Sequence, residues 1–449
     1  MRRRLLPLLA LLALLSLALA APAAQAVDRA GLRTTLTKLQ GRLGTSAGAY
    51  VVNLADGQPL YAYRENLALA PASNEKLFTT ATALLRFGAG GALATTLQAQ
   101  PGTTIDAGGV LRGDLYLVGG GDPTLGDTGL SALADQLAAQ GVTRVAGAVV
   151  GDESLFDTLR GGPDSGYRPD GDLGGWLSAL SWRHGRSGDG SPARAAATKL
   201  AALLKARDIT YDRKPRAGTL PGALDGGGIP VTPTPATTTA PATTTTPGGT
   251  AAGSVTPGGA QATTTPAAGD PEPLATFASP SIGDLITATN VPSENFYAEM
   301  LAKAVGARFG AGGSTAAGLA VAREQLAAFG VHPKLVDGSG LSRSDRTTAR
   351  QVVRLLQRMI GQDTAATWVR SLPVAGTSGT LRYRMRGTAA AGRCQAKTGT
   401  LIGVSALSGY CTTTGGAKVA FSLLENRVCT SCAKGIEDRM VAAIARLDG

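Results

Sequence analysis

Along DRAGLRTTLTKLQGRL the apolar positions are Leu32, Leu36, Leu39 and Leu43, with polar residues between them. Steps of three and four residues align those side chains on one stripe, so residues 28–43 are predicted to form an amphipathic helix. The rhythm then changes. In AGAYVVNLADGQPLYAYRE two β-rich runs flank Asp56-Gly57, which signals a hairpin. Helical spacing returns after Ser73 with Leu77, Ala81, Leu84 and Leu85 on one face, and Gly88 can end that helix. From about residue 95 to 228 the chain is rich in glycine and short apolar runs, as in GDLYLVGGGDPTL and VAGAVVGDESLF. These predict short strands with turns, then a helix over 193–206. After residue 276 helices are predicted at 281–289, 294–307, 314–329 and 347–361, and strands near 393–397, 404–411 and 418–425. A closing helix carries Ile436, Met440, Ile444 and Leu447 on one face.

Two stretches break these periods. The first residues, MRRRLLPLLALLALLSLALAAPAAQA, hold three arginines, an apolar run and a small-x-small ending at Ala26. This reads as a secretory signal peptide over 1–26; the alternative is an uncleaved anchor, for which the apolar run is short. No later stretch is long and apolar enough to cross a bilayer. The second stretch, residues 229–273, is almost wholly Thr, Pro, Ala and Gly. It lacks the apolar surface that offsets chain ordering and is expected to be disordered or extended, with room for O-linked sugars. Strand-like starts on either side, in ITYDRKPRAGTL and PLATFASPSIGDLI, make it an overgrown loop inside a domain rather than a linker.

The outline is a short α/β opening, a β-rich middle, and a helical segment that ends in strands and a helix. The first hairpin lacks nearby partners and is expected to join the C-terminal strands in one antiparallel sheet. The middle then becomes an insertion: 27–92 and 276–449 form one discontinuous domain, and 93–275 form the inserted part.

Formal charge is +11, and cleavage after Ala26 removes Arg2, Arg3 and Arg4 and no acid. A basic exported chain suits an anionic surface such as a cell wall, though charge alone also serves solubility. No basic–aromatic cluster points to nucleic acid. Cys394, Cys411, Cys429 and Cys432 are the cysteines. An even count in an exported chain favours disulfides, with three pairings open. The Cys429-x-x-Cys432 spacing is also half a zinc site, but His184 and His332 are the sole histidines and neither is near in sequence.

ASNEKLFTT sets Ser73 three residues before Lys76 at a helix start. A serine hydroxyl needs a base, and a lysine serves if desolvation or neighbouring cations hold it deprotonated. Positions i and i+3 share a helix face, and N-terminal backbone N–H groups suit an oxyanion. Alone, Ser-x-x-Lys is weak: a helix cap explains it equally, and Ser431-Cys432-Ala433-Lys434 repeats it by accident. Two further groups add to it. NVPSENFYAEML carries Ser293 and Asn295, suited to shuttling a proton and holding a substrate amide. RCQAKTGTLIG carries Lys397, Thr398, Gly399 and Thr400 on a strand where Lys397 and Gly399 face one way. A cation there would bind a carboxylate, and the glycine would let substrate backbone lie close.

Ser-x-x-Lys, Ser-x-Asn and Lys-Thr-Gly in that order form the signature of penicillin-recognising serine acyl-enzymes. The chain resembles the low-molecular-mass, class C penicillin-binding proteins, DacB-like serine D-Ala-D-Ala carboxypeptidases and endopeptidases. GGGDPTL at 119–125, LSALSW at 177–182, VDGSGLSRSDRTTA at 336–349, SLPVAGTSGTLRYRMRGT at 371–388 and AKTGTLIGVSALSGY at 396–410 also match that family. The resemblance implies an α/β (α+β) fold: a penicillin-binding/β-lactamase-like antiparallel sheet flanked by helices, with a domain inserted between the first two motifs. It implies Ser73 as nucleophile, Lys76 as base, Ser293 as proton relay beside Lys397, and Asn295 on the substrate amide. Lys397, Thr398 and Thr400 would bind the terminal carboxylate, and the N–H groups of Ser73 and Thr400 would form the oxyanion hole. The expected substrate is a peptidoglycan stem peptide, with β-lactams as covalent inhibitors and no metal or organic cofactor. Location would be periplasm or outer wall.

Two departures stand out. Without the Thr/Pro-rich run, the step from Ser73 to Ser293 loses about 45 residues, so one inserted subdomain is expected to be reduced. Glu294 stands where Asp or Asn is more familiar. Cys394 and Cys411 lie symmetrically about the turn after the third motif; pairing them across strands would leave Cys429 with Cys432. Two other readings are a β-lactamase-like hydrolase, which must clear its acyl-enzyme quickly, and a non-catalytic wall-binding relative.

Overall fold

The computed structural model describes residues 27–222 and 273–448, apart from Ser187 and Asp189. Residues 1–26, read from the sequence as a signal peptide, and residues 229–272 of the Thr/Pro-rich run lie outside the described residues.

Helix α1 (Arg29–Gln40) starts at Asp28, whose carboxylate accepts the Gly31 N–H at 2.7 Å. Strands β1 (Ala47–Asn53) and β2 (Pro59–Tyr63) form the hairpin around Asp56-Gly57. A short 3₁₀ turn, Ala72–Glu75, leads into helix α2 (Lys76–Phe87). The middle of the chain supplies β3 (Ala94–Ala99), β4 (Val110–Leu111), β5 (Leu115–Val118), helix α3 (Asp127–Ala139), β6 (Arg144–Asp152), helix α4 (Pro192–Lys205), β7 (Thr210–Ala217) and β8 (Ala275–Ala278). Helices α5 (Ile282–Asn290), α6 (Asn295–Phe309), α7 (Thr315–Ala327), α8 (Ala349–Ile360) and α9 (Ala365–Arg370) follow. Strands β9 (Cys394–Leu401), β10 (Val404–Thr412) and β11 (Lys418–Asn426) and helix α10 (Thr430–Ile444) close the chain.

A five-stranded antiparallel sheet runs β2-β1-β11-β10-β9. The N-terminal hairpin therefore pairs with strands that follow it by more than 350 positions, with Ala47 opposite Glu425 and Asn53 opposite Val419. Strand side chains alternate between faces. Val51, Leu407 and Phe421 pack with Leu36, Ile436 and Met440 of α1 and α10 on one face. Tyr50, Val52, Ala406, Ala420 and Leu424 pack with Phe78 and Leu84 of α2 and Leu355 of α8 on the other.

The second sheet is mixed and six-stranded. β3 is antiparallel to β5 and β8, while β6 pairs in parallel with β4, β5 and β7. Parallel pairs need crossovers, and α3 and α4 supply them, burying Leu130, Leu133, Leu137, Leu200 and Leu204 against Leu115, Leu117, Val145 and Val149. Helix α3 corrects the reading of this region as strands followed by a single helix. Leu130, Leu133 and Leu137 had helical spacing, but the surrounding glycines disguised it. β7 ends just before the undescribed segment and β8 begins just after it, and both belong to this sheet.

Candidate active site

The turn holding Ser73 packs against β9 and β10 and leads directly into α2. Neither Ser73 nor Ser293 caps a helix: the turn at 72–75 has no side-chain cap, and neither has α6, whose N-cap is Glu294. Both hydroxyls instead accept from lysines. Lys76 Nζ lies 3.0 Å from Ser73 Oγ, and Lys397 Nζ lies 2.7 Å from Ser293 Oγ. Three segments far apart in sequence thus meet at one place. The backbone is held in the left-handed region at Ala72 (φ 47°), just before Ser73, and at Ser293 (φ 70°). That conformation is costly for side-chain-bearing residues and is found where geometry serves function.

Both lysines are fully buried. Lys76 Nζ also donates to Asn295 Oδ1 at 2.6 Å and to the Ser339 carbonyl at 2.7 Å. Burial lowers its pKa to about 8, against the opposing pull of Asp337, Glu299, Glu294 and Glu75. Burial holds Lys397 well below the usual lysine range, and the positive charge of Lys76 lowers it further. Each amine thus gives up its proton more readily than an exposed lysine. Asn295 donates from Nδ2 to the Asp172 carbonyl at 2.7 Å, so both ends of its amide are engaged.

β9 is an edge strand. The N–H groups of Cys394 and Ala396 point away from β10, to the carbonyls of Ala390 and Pro373. Backbone direction alternates along a strand, so those of Thr398 and Thr400 also point outward. Neighbouring chain thus covers the edge as far as Ala396; beyond it Lys397 Nζ takes the Thr398 carbonyl at 2.9 Å, and among the described residues no backbone carbonyl accepts the N–H of Thr398 or Thr400. Thr398 Oγ1 bonds Thr380 Oγ1 at 2.8 Å, and the Thr400 side chain is exposed.

Gly399 corrects one expectation. A Cβ there would sit 2.6 Å from the Pro71 carbonyl and 3.1 Å from Asn74 Nδ2. The glycine lets the Ser73 turn press onto β9, rather than making room for substrate backbone. Asn74 Nδ2 fixes that contact through the Lys397 carbonyl at 3.2 Å.

Sequence reasoning missed the loop behind Lys76. Asp337 accepts the N–H groups of Ser339, Gly340 and Ser342 at 3.2, 2.6 and 2.6 Å. Glu299 accepts that of Gly338 at 2.8 Å, and Thr79 donates to the Gly338 carbonyl at 2.8 Å. This wiring aims the Ser339 carbonyl at Lys76. Gly340 is required, because a Cβ would lie 2.0 Å from the Ala72 carbonyl. Burial, reinforced by neighbouring carboxylates, raises the pKa of Glu75 well above the usual range, that of Glu299 to about 7 and that of Asp345 to about 9. The signal for this loop was the stretch VDGSGLS itself; its part is a backbone carbonyl, which no side-chain motif reveals. The repeated Ser431-x-x-Lys434 lies on α10 with Ser431 exposed, and its lysine carbonyl accepts from Arg384 at 3.3 Å.

Disulfides join Cys394 to Cys411, directly opposite on β9 and β10, and Cys429 to Cys432. The first braces β9 three residues before Lys397. Among the described residues no His/Cys/Asp/Glu cluster could hold a metal ion.

Sheet, helices and paired Ser–Lys contacts define a penicillin-binding/β-lactamase-like fold with a serine acyl-enzyme site. The family described as D-Ala-D-Ala carboxypeptidase 3 (S13) matches residues 30–170 and 245–447. D-alanyl-D-alanine carboxypeptidase of Actinomadura sp. strain R39 is 35% identical over 90% of this chain and 82% of its own length. Carboxypeptidase DacB of Mycolicibacterium smegmatis is 30% identical over 89% of this chain and 80% of its own. Penicillin binding protein 4 (dacB) of Haemophilus influenzae shares the fold, with a TM-score of 0.68 at 20% identity over 90% of this chain and 97% of that one. The chain belongs to the D-Ala-D-Ala carboxypeptidase 3 (S13) family and is a serine-type carboxypeptidase.

Proposed function

We propose that Ser73 is the nucleophile of a D-Ala-D-Ala peptidase acting on peptidoglycan stem peptides. The observation that carries this reading is the contact of Ser73 Oγ with the buried amine of Lys76, beside the Ser293–Lys397 pair. Lys76, as the free amine, takes the hydroxyl proton while Ser73 Oγ bonds the carbonyl carbon. The oxyanion is held by the N–H groups of Ser73 and Thr400. The C–N bond to the terminal D-Ala then breaks. Its nitrogen takes from Lys76, relayed through Ser293, the proton that Ser73 gave up, with Lys397 close by. Water attacks the ester, releases the shortened peptide and returns the proton to Ser73. Asn295 exchanges an internal partner for the substrate amide. Lys397, Thr398 and Thr400 hold the terminal carboxylate at the open end of β9, where the substrate adds as a short extra strand. Gly399 supports the site by close packing.

A β-lactam reacts by the same first step and stays on Ser73. Penicillin binding protein 4 of H. influenzae has itself been solved with a β-lactam bound. No metal, organic cofactor or nucleic-acid partner enters this scheme. The chain is exported to the periplasm or wall, with 1–26 as leader; two disulfides suit an oxidising compartment, and no described helix is long and apolar enough to cross a membrane. The catalytic domain comprises 27–92 and 276–449, with 93–275 inserted.

The test is incubation with a D-Ala-D-Ala pentapeptide and with a cross-linked muropeptide, weighing the products, alongside labelling by fluorescent penicillin. Loss of one D-Ala, or cleavage of the cross-link, with labelling abolished in Ser73→Ala is expected. Undiminished labelling of that variant overturns the nucleophile. Release of the label within seconds would make the chain a β-lactamase, and absent labelling a non-catalytic relative.

A further inference from the structure

A groove lies on the opposite side of the five-stranded sheet from Ser73, since α1 and α10 pack on the Val51–Phe421 face and α2 on the other. It has a volume of about 740 Å³ and is bordered by α1, α10 and the loop at 387–389. Four cations line it: Lys38 in α1 and Arg42 in the turn after it, Arg439 in α10 and Arg446 just past its end. None of the four forms an ion pair among the described residues, and no acid lines the groove. The nearest acids of α10 are already occupied, because Arg384 bonds Glu437 at 2.7 Å and Asp438 at 2.8 Å. Like charges gathered in one concavity repel, and the concavity focuses their field. Between the cations the floor is apolar, with Leu39 and Ala442 buried.

The basic track continues beyond the groove. The loop that borders it runs back to the active site, where Thr380 meets Thr398. Along it Tyr383 is 73% exposed, with the guanidinium carbons of Arg382 and Arg386 at 5.6 and 4.6 Å from its ring.

We propose that this groove is a second binding site, for a linear phosphodiester polymer of the poly(alditol phosphate) type. Its repeating charges match the cations set along the two borders of the groove, and its short carbon units match the apolar floor between them. Guanidinium groups suit phosphate oxygens. No large exposed hydrophobic side chain lines the groove to anchor it in a bilayer. The polymer would tether the enzyme to an anionic matrix and leave the catalytic cleft free. This proposal stands apart from the assignment of Ser73.

The test is fluorescence anisotropy with labelled synthetic poly(glycerol phosphate), at low and physiological salt, on the full chain. The wild type binds, and more weakly as salt rises. The variant Lys38→Gln/Arg42→Gln/Arg439→Gln/Arg446→Gln binds roughly tenfold or more weakly and has a shallower salt dependence. A matched variant, Lys205→Gln/Arg213→Gln/Lys214→Gln/Lys334→Gln, binds as the wild type. Hydrolysis of a small soluble D-Ala-D-Ala peptide is unchanged in both. If the fourfold variant does not fold, the Lys38/Arg42 and Arg439/Arg446 pairs are neutralised separately, and each weakens binding. No binding by the wild type, undiminished binding by the groove variants, or equal loss in the matched variant overturns the site. Tighter binding to phosphatidylglycerol vesicles or to single-stranded DNA overturns the choice of ligand.

Discussion

The two sheets of this protein treat charge in opposite ways. Around the six-stranded sheet the main buried cluster is aliphatic with small side chains, ion pairs such as Arg144–Asp212, Arg207–Asp135 and Arg216–Asp114 lie toward the surface, and the buried Asp152 of β6 is taken up by the N–H groups of Ser154 and Leu220. Beside the five-stranded sheet, Lys76, Lys397, Glu75, Glu299, Asp337 and Asp345 are all buried. Burying an ion costs several kcal/mol before any partner offsets it. The first arrangement favours stability; the second accepts instability to obtain amines that release protons. Buried charge is not wholly catalytic, however. Glu425 and Glu437 lie buried on the far face of the same sheet, the latter held by Arg384, and take no part in the site.

The sharpest way to break this contrast is Ser73→Ala, which lowers kcat by roughly 10⁴-fold or more, measured by D-Ala release, while leaving the unfolding midpoint nearly unchanged. Lys397→Ala lowers kcat/KM by roughly 10²–10³-fold. Lys397→Met, which removes the buried amine and keeps the volume, leaves stability equal or raised, which denaturant titration checks. In the other sheet Leu133→Ala costs ~2–5 kcal/mol of stability, with kcat per folded molecule unchanged. A large loss of kcat there would show that the two regions are energetically coupled.

Two smaller effects depend on pH. With Lys76 as base at a pKa of about 8, kcat/KM rises about tenfold per pH unit below that value and levels above it. Glu299 opposes the lowering of Lys76, so Glu299→Gln moves this acid limb to lower pH. Because burial raises the Glu299 pKa, its stabilising contribution is complete below about 4.5 and is lost as pH rises through about 7. Denaturation of Glu299→Gln across that window shows a correspondingly flatter profile. Smallest of all, Arg144→Ala changes stability by less than ~1 kcal/mol, the usual worth of an exposed pair.

Apolar rhythm made the long helices legible. The segments expected at 281–289, 314–329 and 347–361 form at Ile282–Asn290, Thr315–Ala327 and Ala349–Ile360. The N-terminal hairpin was assigned to the C-terminal strands because it had no other partner, and its pairing with β11 follows that reasoning. Ser73, Lys76, Ser293 and Lys397 were legible because their spacing is chemically demanding in combination, and the fold brings them within bonding distance. Contributions made by backbone were not. The Ser339 carbonyl and the fit of Gly399 beneath Pro71 have no side-chain signature. Glu299, in NFYAEML, looked like an ordinary polar helix position and is buried behind Lys76.

An unguarded strand border normally invites another copy of the same chain, which is how sheets aggregate. On β9 the N–H groups without a backbone partner begin only at Thr398, after Pro373 and Ala390 have taken those before it. So small a berth is too short to zip two proteins together, yet long enough to dock the tail of one peptide. The same shielding that denies a second chain a long border to pair with would set the length of peptide that the proposed docking admits.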